Sequence, residues 1–174
     1  MERLISKQID TEEQVEEMRL IYNDNLEDLA TIKLNYNTYD EQQLWWKNNE
    51  NAINAYLYYL KDDPDKGPIA FLALTDRGDF KTPIFAIKKK YWGKGFGKEI
   101  IQDYLIKANC PLAGSQLQDN KAICYMNRKF KWEIIGESCS DGKIIDLLFH
   151  PGLNDEKRDK KIFREILSFH NIDS

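Results

Sequence analysis

Cysteine, histidine and proline are scarce in this 174-residue chain, with 3, 2 and 5 of each. The cysteines, Cys110, Cys124 and Cys139, are odd in number and lack the close pairing of a metal centre, so a reducing, cytoplasmic setting is expected. His150 and His170 stand twenty residues apart with no acidic or cysteine partner at ligand spacing, and no metal is assigned. The chain lacks internal repeats, low-complexity tracts and Pro/Gly/Ser-rich linkers, which leaves one domain as the reading. It also lacks a window approaching the roughly 18 uncharged apolar residues that span a bilayer. Even residues 134–149 are interrupted by Glu137, Asp141, Lys143 and Asp146. No basic stretch followed by an apolar run opens the chain, so a soluble protein without a signal peptide is expected. Positive charge is not in excess: 25 Lys+Arg against 29 Asp+Glu give a net charge of -4, which excludes a general field for nucleic acid or an anionic membrane.

What is present is globular: 42% hydrophobic and 12% aromatic residues, enough to fill one core. Residues 3–9 read as a strand. Thr11 with Gln14, and Thr38 with Glu41, have the spacing of capping boxes and predict two helices. The first buries Val15, Met18, Ile21 and Tyr22, and the second carries Leu44, Trp45 and Trp46. Runs at 55–60, 69–74 and 82–87, separated by turn-rich segments, predict an antiparallel meander. From Gly97 the apolar period becomes helical, with Ile100, Ile101, Tyr104, Leu105 and Ala108 on one face and Asp103 paired with Lys107 on another. A strand at 112–117, a helix at about 120–129, strands at 131–137 and 143–149, and an amphipathic helix at 154–170 complete the reading. The order implies a mixed α/β (α+β) sheet covered by helices, in which the strands flanking the helix from Gly97 run parallel.

The segment Trp92-Gly93-Lys94-Gly95-Phe96-Gly97-Lys98 joins a strand to that helix and holds three glycines in five residues. Glycine takes positive φ freely and lets backbone approach a ligand, and a helix start presents N–H groups to an anion. Phosphate is the natural guest, and Lys88, Lys89, Lys90, Lys94 and Lys98 form a local basic cluster beside it. A P-loop is excluded because Glu99, not Ser or Thr, follows Lys98. The dinucleotide fingerprint is excluded because Gly95 is followed by Gly97 and then Lys98.

The Gly93-Lys94-Gly95-Phe96-Gly97 turn on this element order resembles the Gcn5-related N-acetyltransferase superfamily, over residues 1–150 and most strongly over 85–130. The resemblance implies a mostly antiparallel sheet whose central parallel strands splay apart around acyl-CoA. It makes 1–150 the acyltransferase domain, with 151–174 a C-terminal helical extension of it. Acetyl-CoA would be co-substrate, its pyrophosphate held by the backbone of Gly93, Lys94, Gly95, Phe96, Gly97 and Lys98. Pantetheine would lie along Phe85, Ala86 and Ile87 like an added strand. Position 92 departs from the pattern, since relatives usually carry Arg or Gln there and this chain has Trp92.

Relatives also place an Asn, then a Tyr seven residues on, then a Phe after five more; Gln118, Tyr125 and Phe130 match that spacing. Gln118 stands in place of the Asn, and Asn120 is a rival for the cofactor-contacting amide. By the same resemblance Tyr125 is the catalytic acid that protonates the leaving thiolate, the alternative being a core tyrosine bonded to a backbone carbonyl. Residues 82–90 and 111–117 hold no Asp or Glu, so Glu133, Glu137, Asp146 and His150 remain as distant base candidates, or water serves. A backbone N–H near Ile87 or Lys88 would stabilise the oxyanion. Cys124 as a nucleophile is weighed against an inert small hydrophobe. Trp45 and Trp46, in a region rich in amides and rings, are candidate acceptor contacts for a small-molecule amine such as an amino sugar, or simply helix anchors. A protein or peptide amine acceptor, and a non-catalytic acyl-CoA-binding domain, stand as alternatives. A homodimer through the C-terminal helix is open.

Overall fold

The computed structural model describes residues 3–29, 37–140 and 142–152. The helix expected at 154–170 lies outside them. Among the described residues seven strands form one sheet: β1 (Leu4–Gln8), β2 (Ile53–Leu60), β3 (Ala70–Asp76), β4 (Lys81–Ile87), β5 (Leu112–Leu117), β6 (Glu133–Ser140) and β7 (Lys143–His150). Their order is β1-β2-β3-β4-β5-β7-β6, antiparallel everywhere except between β4 and β5. The helices are α1 (Glu12–Asp24), α2 (Tyr39–Asn49), α3 (Phe96–Ala108) and α4 (Lys121–Lys129), with short 3-10 turns at Leu26–Asp28, Pro64–Lys66 and Lys89–Tyr91.

Both capping boxes form. Thr11 accepts from the Gln14 amide while the Gln14 side chain accepts from the Thr11 amide, and Thr38 and Glu41 do the same at α2. The orphan donors of each first turn are thereby satisfied by the chain itself.

The central strand β3 alternates its side chains between two cores. Ala70, Leu72 and Leu74 meet Ile100, Ile101, Tyr104 and Leu105 of α3, while Phe71 and Ala73 meet Val15, Met18 and Ile21 of α1. Burial on both faces explains why the 69–74 run reads as continuously apolar rather than alternating. The helices α1 and α3 thus clamp opposite faces of the same sheet.

Several boundaries differ from the sequence reading: β3 runs on to Asp76 and β6 to Ser140, and two others have a visible cause. The strand predicted to start at 131 starts at Glu133, because Lys131 is left-handed at φ 61°, its amide donates to the Arg128 carbonyl, and it closes α4. The strand predicted at 55–60 extends back to Ile53, which pairs with Thr75.

Candidate functional site

The parallel strands β4 and β5 pair at a single position, Lys81 with Leu112, where the Lys81 amide donates to the Pro111 carbonyl at 3.0 Å. Beyond it the two strands part. Antiparallel pairing on the other edge of β4 fixes which residues face the gap. Lys88 N–H donates to the Ile69 carbonyl at 2.8 Å, so along the ladder Ala86 turns its backbone groups to β3, and Phe85, Pro83 and Lys81 turn theirs to β5. Pro83 has no N–H and lies two residues after the last β4–β5 pair, so β4 cannot donate to β5 at that point. A sequence-local residue thereby ends the ladder and opens a wedge. Of the three residues expected along pantetheine, Phe85 and Ile87 turn their backbone to the wedge, the Ile87 carbonyl already accepting from Trp92 Nε1 at 2.8 Å, whereas the backbone groups of Ala86 face β3. Lys88, one of the two expected oxyanion donors, has given its amide to Ile69.

The glycine turn closes the wide end of the wedge. Gly93 and Gly95 are left-handed at φ 73° and 83°, a region side chains seldom adopt, and Gly95 is the N-cap of α3 without a side-chain cap. Space where a Cβ of Gly93 would sit is open, and a Cβ of Gly97 would come within 3.8 Å of Ile87 Cδ1, which places the helix start against the end of β4. The Lys98 amide donates to the Gly95 carbonyl, and the earlier amides of α3 are those a helix leaves without an internal acceptor. They carry the positive end of the helix dipole. Phe96 is buried and anchors the turn in the α3 core.

The basic cluster is partly spent elsewhere. Lys88 pairs with Glu17 at 3.3 Å and Lys89 with Asp28 at 3.5 Å, while the ammonium groups of Lys90 and Lys94 lie 5.2 and 5.1 Å from the Tyr91 ring. On this side Asn23, Asp24, Leu26, Glu27 and Lys89 line a cleft of about 330 Å³. The segment after α1 bridges across to the far half of the sheet: the Asn120 Nδ2 donates to the Asp28 carbonyl at 3.3 Å and Lys143 Nζ to the Glu27 carbonyl at 3.1 Å.

At the end of β5 a polar network replaces the apolar core. Asp146 is buried, and its two oxygens accept from Gln116 Nε2 at 2.7 Å and Gln118 Nε2 at 2.6 Å. Gln118 Nε2 also donates to Glu137 at 2.7 Å, and Gln116 accepts from Asn127 of α4 at 2.9 Å. Of the distant base candidates, Glu137 and Asp146 thus accept from glutamine amides, and His150 accepts the Gly152 amide on Nδ1 at 3.0 Å. Asn120 spends its oxygen capping α4 on the Ile123 amide. Tyr125 is 63% exposed, so the core-tyrosine alternative fails. Burial, and then the nearby Asp146 carboxylate, push the Cys124 thiol up, which disfavours the thiolate a nucleophile needs. Trp45 is exposed on α2, and Trp46 packs partly into the α1-side core. Among the described residues no group of three or more His, Cys, Asp or Glu is placed to hold a metal ion, and no helix is long and apolar enough to cross a membrane.

No family model matches the chain, and no curated protein matches it. Its three-dimensional structure does have counterparts. A spermidine N-acetyltransferase from Vibrio cholerae, solved with CoA and spermine, superposes with a TM-score of 0.73 at 12% identity, over 86% of this chain and 96% of that one. An N-acetyltransferase from Staphylococcus aureus Mu50 gives 0.71 at 14% identity, over 86% and 99%. The chain has the Gcn5-related N-acetyltransferase fold. Salmonella typhimurium yncA, solved with its cofactor acetyl-CoA, shares that acetyltransferase fold with a TM-score of 0.72 at 9% identity, over 91% and 99%. The resemblance carried by five residues of the glycine turn therefore extends to the whole acetyltransferase architecture, at identities too low for sequence similarity alone to display it.

Arg3 escaped the sequence reading, as did the Asp146 network. Spacing carries no signal of either, because Arg3 meets Lys94 and Glu99 91 and 96 residues away, and Asp146 meets Gln118 and Gln116 28 and 30 residues away. Pro83 was visible inside the 82–87 run and is the one local signal of the splay.

Proposed function

We propose that this protein is an acyl-CoA-dependent N-acyltransferase that moves an acetyl group from acetyl-CoA to a primary amine of a small molecule, such as an amino sugar. The observation that carries this reading is the wedge between β4 and β5, open after one pair, with the glycine turn and the amides of α3 at its wide end. The pyrophosphate would rest on those amides, which suit a dianion because backbone donors and helix dipole act together. Pantetheine amides would complete the ladder that Pro83 interrupts, through Phe85 and Ile87.

The chemistry needs little more from the chain. The amine nitrogen attacks the thioester carbonyl, the N–C bond forms, the C–S bond breaks, and the sulfur leaves with its bonding pair. An exposed phenol at Tyr125 supplies the proton that turns thiolate into thiol. The proton lost by the amine passes to water, because residues 82–90 and 111–117, which flank the wedge, hold no Asp or Glu. The cleft lined by Asn23, Asp24 and Glu27 offers amide and carboxylate groups to a polar acceptor carrying an amine.

Isothermal titration with acetyl-CoA, followed by thiol release against amino sugars, polyamines and peptides, tests this reading. Micromolar binding with thiol release for a small amine supports it. Release for peptides alone moves the acceptor to protein amines. Binding with no release for any acceptor leaves an acyl-CoA-binding domain, and absence of binding removes the reading of the turn.

A further inference from the structure

Arg3 precedes the edge strand β1, yet it reaches the glycine turn. Its carbonyl accepts from the Lys61 amide at 2.9 Å, and its own amide donates to Glu99 Oε2 at 2.9 Å, so its backbone is fixed between the sheet and the first turns of α3. Its guanidinium donates from Nε to Glu99 Oε1 at 2.6 Å, with Nη2 at 2.5 Å from the same oxygen, and from Nη1 to the carbonyl of Lys94 at 2.9 Å. The same group stacks 4.4 Å over the Phe96 ring. One planar fork thus holds a carboxylate and a backbone carbonyl together, which a lysine ammonium cannot reproduce with the same geometry.

The contact with Lys94 has a directional effect. The carbonyl of Lys94 and the amide of Gly95 belong to one trans peptide plane and point in opposite directions. Holding the carbonyl toward Arg3 therefore turns the Gly95 N–H to the opposite side. With Gly95 at φ 83° this plane would otherwise swing between several conformations open to glycine.

We propose that Arg3 is a positioning residue for the acyl-CoA pyrophosphate: it ties the glycine turn to β1 and aims the turn's amides, so that the anion site exists before the ligand arrives. This rests on the acyltransferase reading above. Arg3 acts through Lys94 and Glu99.

The test compares wild type with Arg3→Ala, Arg3→Lys and the double variant Arg3→Ala/Glu99→Gln. Acetyl-CoA binding is read by titration calorimetry, and KM and kcat come from thiol release. Arg3→Ala is expected to weaken acetyl-CoA about tenfold, in KM as in Kd, with kcat within about twofold, since one charge-assisted tether is lost. Arg3→Lys is expected to recover only part of this. S-acetylpantetheine, which lacks the pyrophosphate, is expected to react equally with wild type and Arg3→Ala, which a globally damaged protein would not allow. Equal acetyl-CoA affinity in wild type and Arg3→Ala overturns the inference. So does full recovery in the double variant, because the loss would then be repulsion by an uncovered Glu99 and not a misaimed turn. If wild type itself fails to bind acetyl-CoA, the acyltransferase reading falls first and this inference with it.

Discussion

The indole Nε1 of Trp92 donates to the carbonyl of Ile87 at 2.8 Å, closing the 3-10 turn that links β4 to the glycine turn. The residue that departs from the family pattern thus braces the connection between the two halves of the proposed acyl-CoA site. Trp92→Phe keeps the ring and removes the donor. Stability is expected to fall by about 0.5–1.5 kcal/mol in urea unfolding, and acetyl-CoA affinity is expected to fall with it. An unchanged affinity would show that the turn holds its shape without the bond.

Pro83 faces Leu74 in β3 and turns the position of its missing N–H toward β5. Pro83→Val supplies a donor on the wedge side. Acetyl-CoA affinity is expected to drop at least about threefold, while the stability of the free protein changes by under about 1 kcal/mol, the scale of proline's effect on the unfolded chain. Calorimetric titration and thermal melts of the same variant check both halves.

For the proposed proton donor the expected signature is kinetic. Tyr125→Phe removes only the hydroxyl of an exposed ring, so folding is expected to be unaffected. The kcat for thiol release is expected to fall by about 10²-fold or more, the scale of general acid catalysis, with the KM for acetyl-CoA little changed. A kcat equal to wild type would take the acid role from Tyr125.

Asp146 is a buried carboxylate whose partners are two glutamine amides, with no ion pair to it among the described residues. Asp146→Asn keeps the shape but sets its own NH₂ against one of two donors. A loss of about 1–3 kcal/mol is expected in denaturant unfolding, the cost of an unsatisfied buried polar group. The network joins β5, β7 and α4, so α4 is expected to show the earliest loss of amide protection in hydrogen exchange.

Tyr58 and Tyr104 are buried, and burial pushes both phenols well above the ordinary tyrosine range. For Tyr58 the Asp103 carboxylate, which accepts its hydroxyl at 2.6 Å, adds to the effect. The folded state therefore keeps these protons while the unfolded chain loses them above pH 10. Stability from this source is complete below pH 10 and falls as pH rises through and beyond it, by up to about 1.4 kcal/mol per pH unit for each group. Tyr58→Phe removes one such group, so the gap in stability between wild type and variant is expected to shrink between pH 10 and 11. A constant gap would mean that Tyr58 ionises as freely folded as unfolded.

Much that depends on near neighbours was legible in the chain. The capping boxes at Thr11 and Thr38, the apolar face of α3 and the Asp103–Lys107 pair involve residues three or four apart, where helix geometry alone brings them together. The glycine turn was legible for the same reason, since its positive φ angles and helix start are local properties. The left-handed Lys131 was not, because its side chain gives no reason to expect a conformation that closing α4 imposes. Nor could the sequence show that Lys88 and Lys89 lean on Glu17 and Asp28, that Gln118 lies between two carboxylates, or that Arg3 grips a carbonyl 91 residues away. Those pairings exist only once the sheet has fixed the order β1-β2-β3-β4-β5-β7-β6 and set α3 across it. Local spacing determined which segments could form helices, strands and an anion-binding turn; packing of those segments decided which side chains hold the turn in place.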